Sequence, residues 1–363
     1  MCMIEKEIGS NFHEIINSSI NRIEDSKKIK FLDSGRSAIS IILEQMNCKD
    51  MKVLLPIYTC ESVIKPFVSR GCEIRYYKVD ERLEPDKEEF KKILQEYDPK
   101  LVYVHSYFGF DTLKKIRHEI NELCKKDTLI VEDITHSMFS KVERINADFY
   151  LGSLRKWCSL PDGGVIEIVS ERANTLFDGK NIFEENTSFL ETRLRAQKQK
   201  EMYFNGRSQG KDKDFIQWFD KSEEILEQQG NIYTMSNYSR ERIESIEWDA
   251  LKKRRSENYR YLVDKMDEIK EIEAIFPNMS QDVVPLYCPV YVKKARNELR
   301  VFARKRNIML PVIWPIPPEV EQILGDDSRW VYEHILAIPC DQRYTRTDME
   351  TIISTMKLFF EEA

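Results

Sequence analysis

The strongest constraint on the fold is a regular alternation of apolar strand patterns and amphipathic helix patterns between about residues 29 and 170. Short runs of β-branched and other apolar residues, such as 53–55 and 129–131, are separated by segments with helical spacing. One such segment opens at Ser34-Gly35, and its apolar residues then recur at Ile39, Ile42, Leu43 and Met46. This alternation is typical of α/β domains whose parallel strands are joined by helical crossovers. We therefore predict a large domain with a mostly parallel sheet and helices on both faces.

The remainder of the chain has a different pattern. Residues 171–235 are polar and charged and lack a strand pattern, so we predict helices there. An amphipathic pattern also predicts a helix at residues 11–25. Beyond a long helical pattern, residues 283–292 read as a strand, and the chain ends in a further strand and a terminal helix. We therefore assign residues 1–245 to the large domain and 246–363 to a smaller α+β C-terminal domain.

Composition narrows the class of protein. The formal net charge of −6 disfavours nucleic acid or a membrane surface as the main partner. No apolar run approaches the ~20 residues that would span a bilayer, and the charged N-terminus does not resemble a secretory signal. The eight cysteines are scattered, form no CxxC pair and have no zinc-type spacing. We expect reduced thiols, no metal site and a cytoplasmic location.

Polar residues follow several of the predicted strands, where open α/β sheets bind ligands. Ser34-Gly35-Arg36 opens a helix after the first strand, Asp133 ends a later one, and Ser153 and Lys156 follow the next. A glycine turn at a helix N-terminus favours phosphate. A carboxylate at a buried strand end needs a cationic partner, which a structural salt bridge or a helix cap would equally supply. Lys156 is either a desolvated nucleophile of lowered pKa or a lysine with its charge in water.

The three features together match the needs of pyridoxal 5'-phosphate. This cofactor requires a lysine for a Schiff base, a carboxylate at the pyridine nitrogen, and a helix N-terminus with hydroxyl groups for its phosphate. Lys156, Asp133 and the segment Gly35–Ser37 are of these types, and the Ser153 hydroxyl would reach the same phosphate.

The motifs that carry these residues resemble the DegT/DnrJ/EryC1/StrS family of fold-type-I pyridoxal-phosphate aminotransferases. The resemblance covers about residues 31–166 and is thin beyond them. It rests on the segments FLDSGRSAISIILEQM, KVLLPIYTCESVIKPFVSRGCEIRYYKVD, LVYVHSYFGF, TLIVEDITHSMFS and ADFYLGSLRKWCSLPDGGVI. The later segments SNYSRERIESIEWDALKKRRSENY and ILAIPCDQRYTRTDMETI are similar to the family's interdomain helix and final strand.

The resemblance implies a role for each matching residue. Lys156 would form the Schiff base and move the catalytic proton, Asp133 would pair with the pyridine nitrogen, and His136 would lie near the cofactor's phenolic oxygen. Asn237 would reach the phosphate of a neighbouring subunit, so the protein would be a homodimer with shared active sites. The residues implied to hold the phosphate within the chain are Gly35, Arg36, Ser37 and Ser153.

The chain also departs from the family pattern. Only two residues separate Ser153 from Lys156, and PDGG replaces the family's GEGG. Cys60 occupies the position where many members place an aromatic residue on the cofactor ring. Tyr58, His105 or Tyr107 would supply the stacking instead. Residues 171–235 do not match the usual sugar-binding segments.

The resemblance implies an aminotransferase that passes an amino group, from glutamate, to a nucleotide-linked keto-sugar. Two alternatives stay open, namely a pyridoxal-phosphate enzyme of another reaction type and a non-catalytic regulatory relative. Lys156 argues against a sugar dehydratase, in which histidine replaces the lysine. Arg155 would bind an anionic substrate group, or it is a surface arginine or one that forms a salt bridge across a dimer. The segment 312–320, VIWPIPPEV, is interpreted as packing on the small domain, with a loop over the active-site mouth as the alternative.

Overall fold

The structure, a computed structural model, describes residues 7–13, 23–176, 183–206 and 213–362. The helix predicted at 11–25 falls mainly on residues 14–22, which lie outside the described part.

The predicted alternation produces a central sheet of seven strands in the order β1-β7-β6-β5-β4-β2-β3. Only β7 runs against its neighbours, so the sheet is mostly parallel as predicted. The strands are β1 (Ile29–Leu32), β2 (Lys52–Pro56), β3 (Glu73–Tyr77), β4 (Leu101–His105), β5 (Leu129–Asp133), β6 (Phe149–Ser153) and β7 (Gly164–Ile168).

Both faces of this sheet are covered. Strand β4 is buried along its whole length, and its side chains alternate between two hydrophobic clusters. Leu101 and Tyr103 pack on one face of the sheet, whereas Val102 and Val104 pack on the other. A strand that is buried on both faces reads as a continuous apolar run, which is why the sequence pattern was clear here.

The helices of this part of the chain largely follow the predicted crossovers. Helix α1 begins after Ser34, whose side chain accepts a hydrogen bond from the backbone N–H of Ser37. The described residues of the polar region 171–235 contain three helices, as predicted, and the second and third of these, α6 and α7, pack against each other. The helices are α1 (Gly35–Glu44), α2 (Glu61–Val68), α3 (Lys87–Tyr97), α4 (Arg117–Leu123), α5 (Glu171–Leu176), α6 (Thr187–Phe204), α7 (Phe215–Gln228) and α8 (Asn237–Arg240).

The C-terminal part contains a second sheet of three antiparallel strands in the order β10-β9-β8. The strand predicted at 283–292 begins only at Cys288. The domain boundary at residue 245 stays a prediction. The elements are α9 (Trp248–Met266), β8 (Ile272–Ala274), β9 (Cys288–Val292), α10 (Arg296–Arg304), α11 (Pro318–Glu321), α12 (Asp326–His334), β10 (Ile335–Ile338) and α13 (Arg346–Glu362). Within the described residues, no helix combines the length and apolarity needed to cross a membrane.

The glycine pair after Lys156 has a packing role that can be tested. A Cβ atom at Gly164 would lie 2.2 Å from the backbone oxygen of Ser34, in the turn that opens α1. We expect Gly164→Ala to destabilise the protein by about 1–3 kcal/mol, because backbone must move to relieve the clash. Urea unfolding measures the loss. Gly230→Ala is the matched control, since no atom lies within 4 Å of a Cβ there. Equal stability of the two variants would contradict this packing.

Candidate active site

The ends of neighbouring parallel strands bring the predicted residues to one edge of the sheet. Asp133 ends β5 and pairs in register with Leu151 of β6 on one side and with His105, the end of β4, on the other. Strand β6 ends at Ser153 and continues into a 3-10 turn, Leu154–Lys156. The topology therefore places the carboxylate and the lysine beside each other at the carboxyl edge, as the sequence predicted.

Two adjoining cavities open at this edge. The inner cavity, of about 70 Å³, is lined among others by Asp133, Ser153, Gly35 and His105. The outer cavity, of about 420 Å³, is lined among others by His136, Arg193, Glu223 and Asp341. The residues that line both cavities, and so form the junction between them, are Arg36, Cys60, Ser62, Arg155, Lys156 and Trp314.

Asp133 is a buried carboxylate held in its ionised form. It accepts hydrogen bonds from the Tyr103 hydroxyl at 2.7 Å and from the backbone N–H of Thr135 at 2.8 Å. His105 Nδ1 lies 3.4 Å from Asp133 Oδ2. Burial alone would raise the pKa of Asp133, but His105 and these hydrogen bonds lower it below its ordinary value. The site therefore offers a negative charge to a cationic ring nitrogen at neutral pH.

Lys156 faces open space where the two cavities meet. It is exposed, and it forms no hydrogen bond or ion pair with the described residues. Of the two alternatives for Lys156, the structure therefore shows the one in which the head of the side chain lies in water, because the 3-10 turn directs this residue away from the core. The next residue anchors the turn, since the fully buried Trp157 donates from Nε1 to the Thr135 carbonyl at 2.7 Å. The amine is consequently accessible from both cavities, while its backbone is held in place.

The N-terminus of α1 lies beside Ser153. A Cβ atom at Gly35 would be 3.9 Å from the Cβ of Ser153, so the helix start and the serine share the inner cavity. Arg36 lines the same cavity, and its Nε is buried without a hydrogen-bond partner among the described residues. Ser37 does not line either cavity, and its hydroxyl accepts a hydrogen bond from Gln229 at 3.1 Å. Backbone N–H groups, a hydroxyl and a guanidinium group therefore converge where a phosphate would bind.

An ion-pair network crosses the wall of the outer cavity. Arg155 donates to the carboxylate of Glu223 of α7 from both terminal guanidinium nitrogens, at 2.7 and 3.1 Å, and Arg193 of α6 donates to the same carboxylate at 2.9 Å. Burial would raise the pKa of Glu223, but the two arginines lower it. Arg155 therefore forms a salt bridge within its own chain, and it also lines both cavities.

The remaining predicted residues differ in their positions relative to the two cavities. His136 lines the outer cavity, and burial together with His105 and Lys156 holds its pKa well below the ordinary value, so its ring is neutral. Tyr58 and Tyr107 are fully buried behind the cavities, where the Tyr107 hydroxyl donates to the Tyr58 carbonyl at 2.6 Å. Asn237 is exposed at the start of α8 and lines neither cavity. Its backbone N–H donates to Glu185 at 2.9 Å.

Sequence reasoning missed Trp314 as a site residue. This tryptophan lies in the proline-rich segment 312–320 and is only 4% exposed, yet it lines both cavities. The segment therefore reaches the active-site mouth, which the sequence analysis gave as the alternative. The sequence feature that could have indicated this role is an aromatic residue between prolines. Trp314 is 158 positions from Lys156, so no local pattern predicts that the two line the same cavities.

The assembled residues fit pyridoxal phosphate. The inner cavity offers an ionised carboxylate, a reactive amine and a helix N-terminus. In addition, Nε2 of both His105 and His136 is buried without a hydrogen-bond partner in the described part of the chain. Buried imidazole nitrogens are costly without a hydrogen-bond partner, which a ligand or an ordered water supplies. A small aromatic ligand with polar substituents would satisfy them.

Comparison with solved structures agrees with this geometry. The chain has the fold of the type-I pyridoxal-phosphate aminotransferases, which confirms the predicted fold class. It is similar over 99% of its length to all of PseC from Helicobacter pylori, an aminotransferase involved in the biosynthesis of pseudoaminic acid, with 11% identity and a TM-score of 0.70. It is also similar to Spr1654 from Streptococcus pneumoniae in its PLP form, with 13% identity, a TM-score of 0.69 and coverage of 98% of this chain and 99% of that one.

A DegT DnrJ EryC1 StrS aminotransferase from Brucella abortus is similar at 13% identity and a TM-score of 0.58, covering 91% of this chain and 85% of that one. No family model and no curated protein matches the sequence. The similarity shown by these comparisons therefore lies in the fold.

Proposed function

We propose that this protein is a pyridoxal-phosphate-dependent aminotransferase, a divergent member of the DegT/DnrJ/EryC1/StrS family. One observation carries the proposal, namely that the ionised Asp133 and the unpaired Lys156 line one cavity at the ends of adjacent parallel strands. The similar solved structures support it, because they are aminotransferases and one of them is in a PLP form.

Each residue of the site then has a defined task. When bound, the cofactor supplies an aldehyde carbon that carries the amino group and a ring that withdraws electrons. Lys156 would hold that carbon and move a proton to or from the substrate carbon. Asp133 would keep a proton on the ring nitrogen, and the neutral His136 would bond a ring oxygen. Gly35, Arg36 and Ser153 would hold the phosphate, with Ser37 fixing the start of α1.

We propose that the acceptor is a nucleotide-linked keto-sugar and that glutamate donates the amino group. Arg36, Arg155 and Arg193 lie along the outer cavity, whose volume of about 420 Å³ falls in the usual range for small-molecule sites. Guanidinium groups suit the phosphates of a nucleotide and the carboxylates of glutamate. Fold-level similarity to sugar aminotransferases supports the sugar.

We further propose a cytoplasmic homodimer with shared active sites. Asn237 is exposed and lines neither of the two cavities of its own chain, so its side chain is available to the site of a partner subunit. The location rests on the sequence alone.

A two-stage reaction tests the activity. Protein loaded with pyridoxal phosphate is mixed with glutamate, and we expect the visible absorption of the cofactor to fall as 2-oxoglutarate appears in equal amount. Addition of a nucleotide-linked keto-sugar should restore the absorption and yield an amino sugar. A protein that gains the visible absorption of the bound cofactor but never converts glutamate is not an aminotransferase with this donor. The alternative reaction types would then be tested. A protein that never takes up colour contradicts the proposal as a whole.

A further inference from the structure

Trp314 lies on a loop of the C-terminal part and packs against His105 and His136 of the candidate site. Its ring is nearly parallel to that of His136, at an interplanar angle of 16° and a centroid distance of 5.2 Å. The same indole lies 5.4 Å from the ring of His105, which contacts Asp133. The flat face of Trp314 therefore stands beside the groups that would surround a bound ring.

Trp314 is the aromatic residue at the junction of the two cavities within the described chain, since the other junction residues are arginine, cysteine, serine or lysine. Cys60 also lies at this junction, but its side chain has no aromatic ring. Tyr58 and Tyr107 are 1% and 0% exposed and lie behind the cavity wall, where Tyr58 supports Trp314 at a centroid distance of 5.0 Å. The small Cys60 thus leaves room that a large side chain from elsewhere can use.

The volume of the inner cavity also indicates that a bound cofactor would reach Trp314. The inner cavity of about 70 Å³ holds the Asp133 carboxylate, but it is well below the roughly 300–1,000 Å³ of ordinary ligand pockets. A bound cofactor would therefore extend into the junction, where Trp314 is the boundary.

The loop is built to hold Trp314 in this position. Pro311, Pro315 and Pro317 restrict its backbone, and the Pro311 carbonyl accepts a hydrogen bond from Ala337 of β10 at 3.0 Å. One end of the loop is therefore hydrogen-bonded to the second sheet, and the indole of Trp314 packs against Tyr58.

We infer that Trp314 stacks on the pyridine ring of the cofactor, in place of an aromatic residue at position 60, so that the C-terminal part completes the cofactor site. The inference rests on the proposed function, since it requires that the chain bind pyridoxal phosphate. It assigns the stacking role to Trp314 rather than to the buried Tyr58 or Tyr107, and it leaves His105 as the partner of Asp133. Aromatic pairs prefer offset or edge geometry with centroids 4.5–7 Å apart, which is the range of the contacts that Trp314 already makes.

The dissociation constant of pyridoxal phosphate, measured by titration of the visible absorption, tests this inference. Trp314→Leu keeps apolar bulk but removes the ring, and we expect about tenfold weaker binding and a changed visible circular dichroism at saturation. Trp314→Phe keeps a ring, and we expect a constant within about twofold of the wild type. The matched control is Trp330→Leu, a half-exposed tryptophan of α12 that lines neither cavity, which should bind like the wild type.

Thermal unfolding of the cofactor-free variants verifies that each one folds, and Trp314→Met replaces the leucine variant if that one does not. Equal dissociation constants for the leucine or methionine variant and the phenylalanine variant, in a protein that takes up the cofactor, would overturn the role of Trp314 alone. A wild type that takes up no cofactor would overturn the proposed function itself.

Discussion

Lys156→Ala is expected to abolish the visible absorption that pyridoxal phosphate gives with the wild-type protein and to lower transamination by at least about four orders of magnitude. The reason is chemical, because under the proposed function alanine would remove both the amine that holds the cofactor's aldehyde carbon and the base that moves the proton. The exposure of Lys156 predicts that the substitution leaves the fold intact, since the side chain forms no hydrogen bond or ion pair with the described residues. Absorption spectra and a coupled assay for 2-oxoglutarate measure the two effects.

Lys156→Arg is the matched control for this prediction. Arginine keeps the positive charge at the junction of the cavities but offers no primary amine. We expect this variant to bind the cofactor without the shifted absorption and to be as inactive as the alanine variant. A coloured, active Lys156→Ala protein would contradict the assignment.

Asp133→Asn is expected to lower transamination by about 100-fold or more while leaving cofactor binding measurable. The amide has the shape of the carboxylate but no charge, so it would no longer hold a proton on the ring nitrogen. Tyr103→Phe, which removes only the 2.7 Å hydrogen bond to Asp133, should have a much smaller effect. Steady-state kinetics measures both variants, and the cofactor's absorption against pH reports the ring protonation.

The lowered pKa of Asp133 sets the pH range of this effect. A carboxylate whose pKa is lower in the folded than in the unfolded protein contributes stability above its ordinary value of about 3.9 and loses that contribution as the pH falls through the folded value. Protonation of Asp133 should therefore not limit activity between about pH 5 and 9. Comparable activity of Asp133→Asn and the wild type would show that this carboxylate does not serve the reaction.

The sequence predicted the sheet and most of the strand-end residues because buried parallel strands leave a strong apolar signal. Asp133 and Lys156 follow such strands directly, so their meeting at one edge could be inferred from strand direction alone. The exposure of Lys156 could not be inferred, because it depends on the 3-10 turn and the anchoring of Trp157.

Residues brought in from distant loops escaped the sequence analysis. Trp314 reaches the site only through the packing of its loop on β10, which no local pattern encodes. The ion pairs of Glu223 with Arg155 and Arg193 depend in the same way on how α6 and α7 pack over the sheet edge. Periodicity identifies elements and their ends, whereas contacts between distant segments require the tertiary structure.

A second lysine, Lys200, can be compared directly with Lys156 as the site of cofactor attachment. Lys200 is buried on α6, and burial lowers its pKa to about 7, so at neutral pH a large fraction of its side chains carries an uncharged amine. It lies near Glu7 and Ser10 in a separate cavity that contains neither Asp133 nor Ser153. The lowered pKa makes Lys200 a rival of Lys156 for the aldehyde, but its cavity contains neither Asp133 nor the N-terminus of α1.

The most direct measurement loads the protein with pyridoxal phosphate, reduces it with borohydride, and locates the attached group by peptide mass spectrometry. The account predicts one modified residue, Lys156, with modification that excess glutamate prevents. Attachment at Lys200, or an even spread over surface lysines, would contradict it.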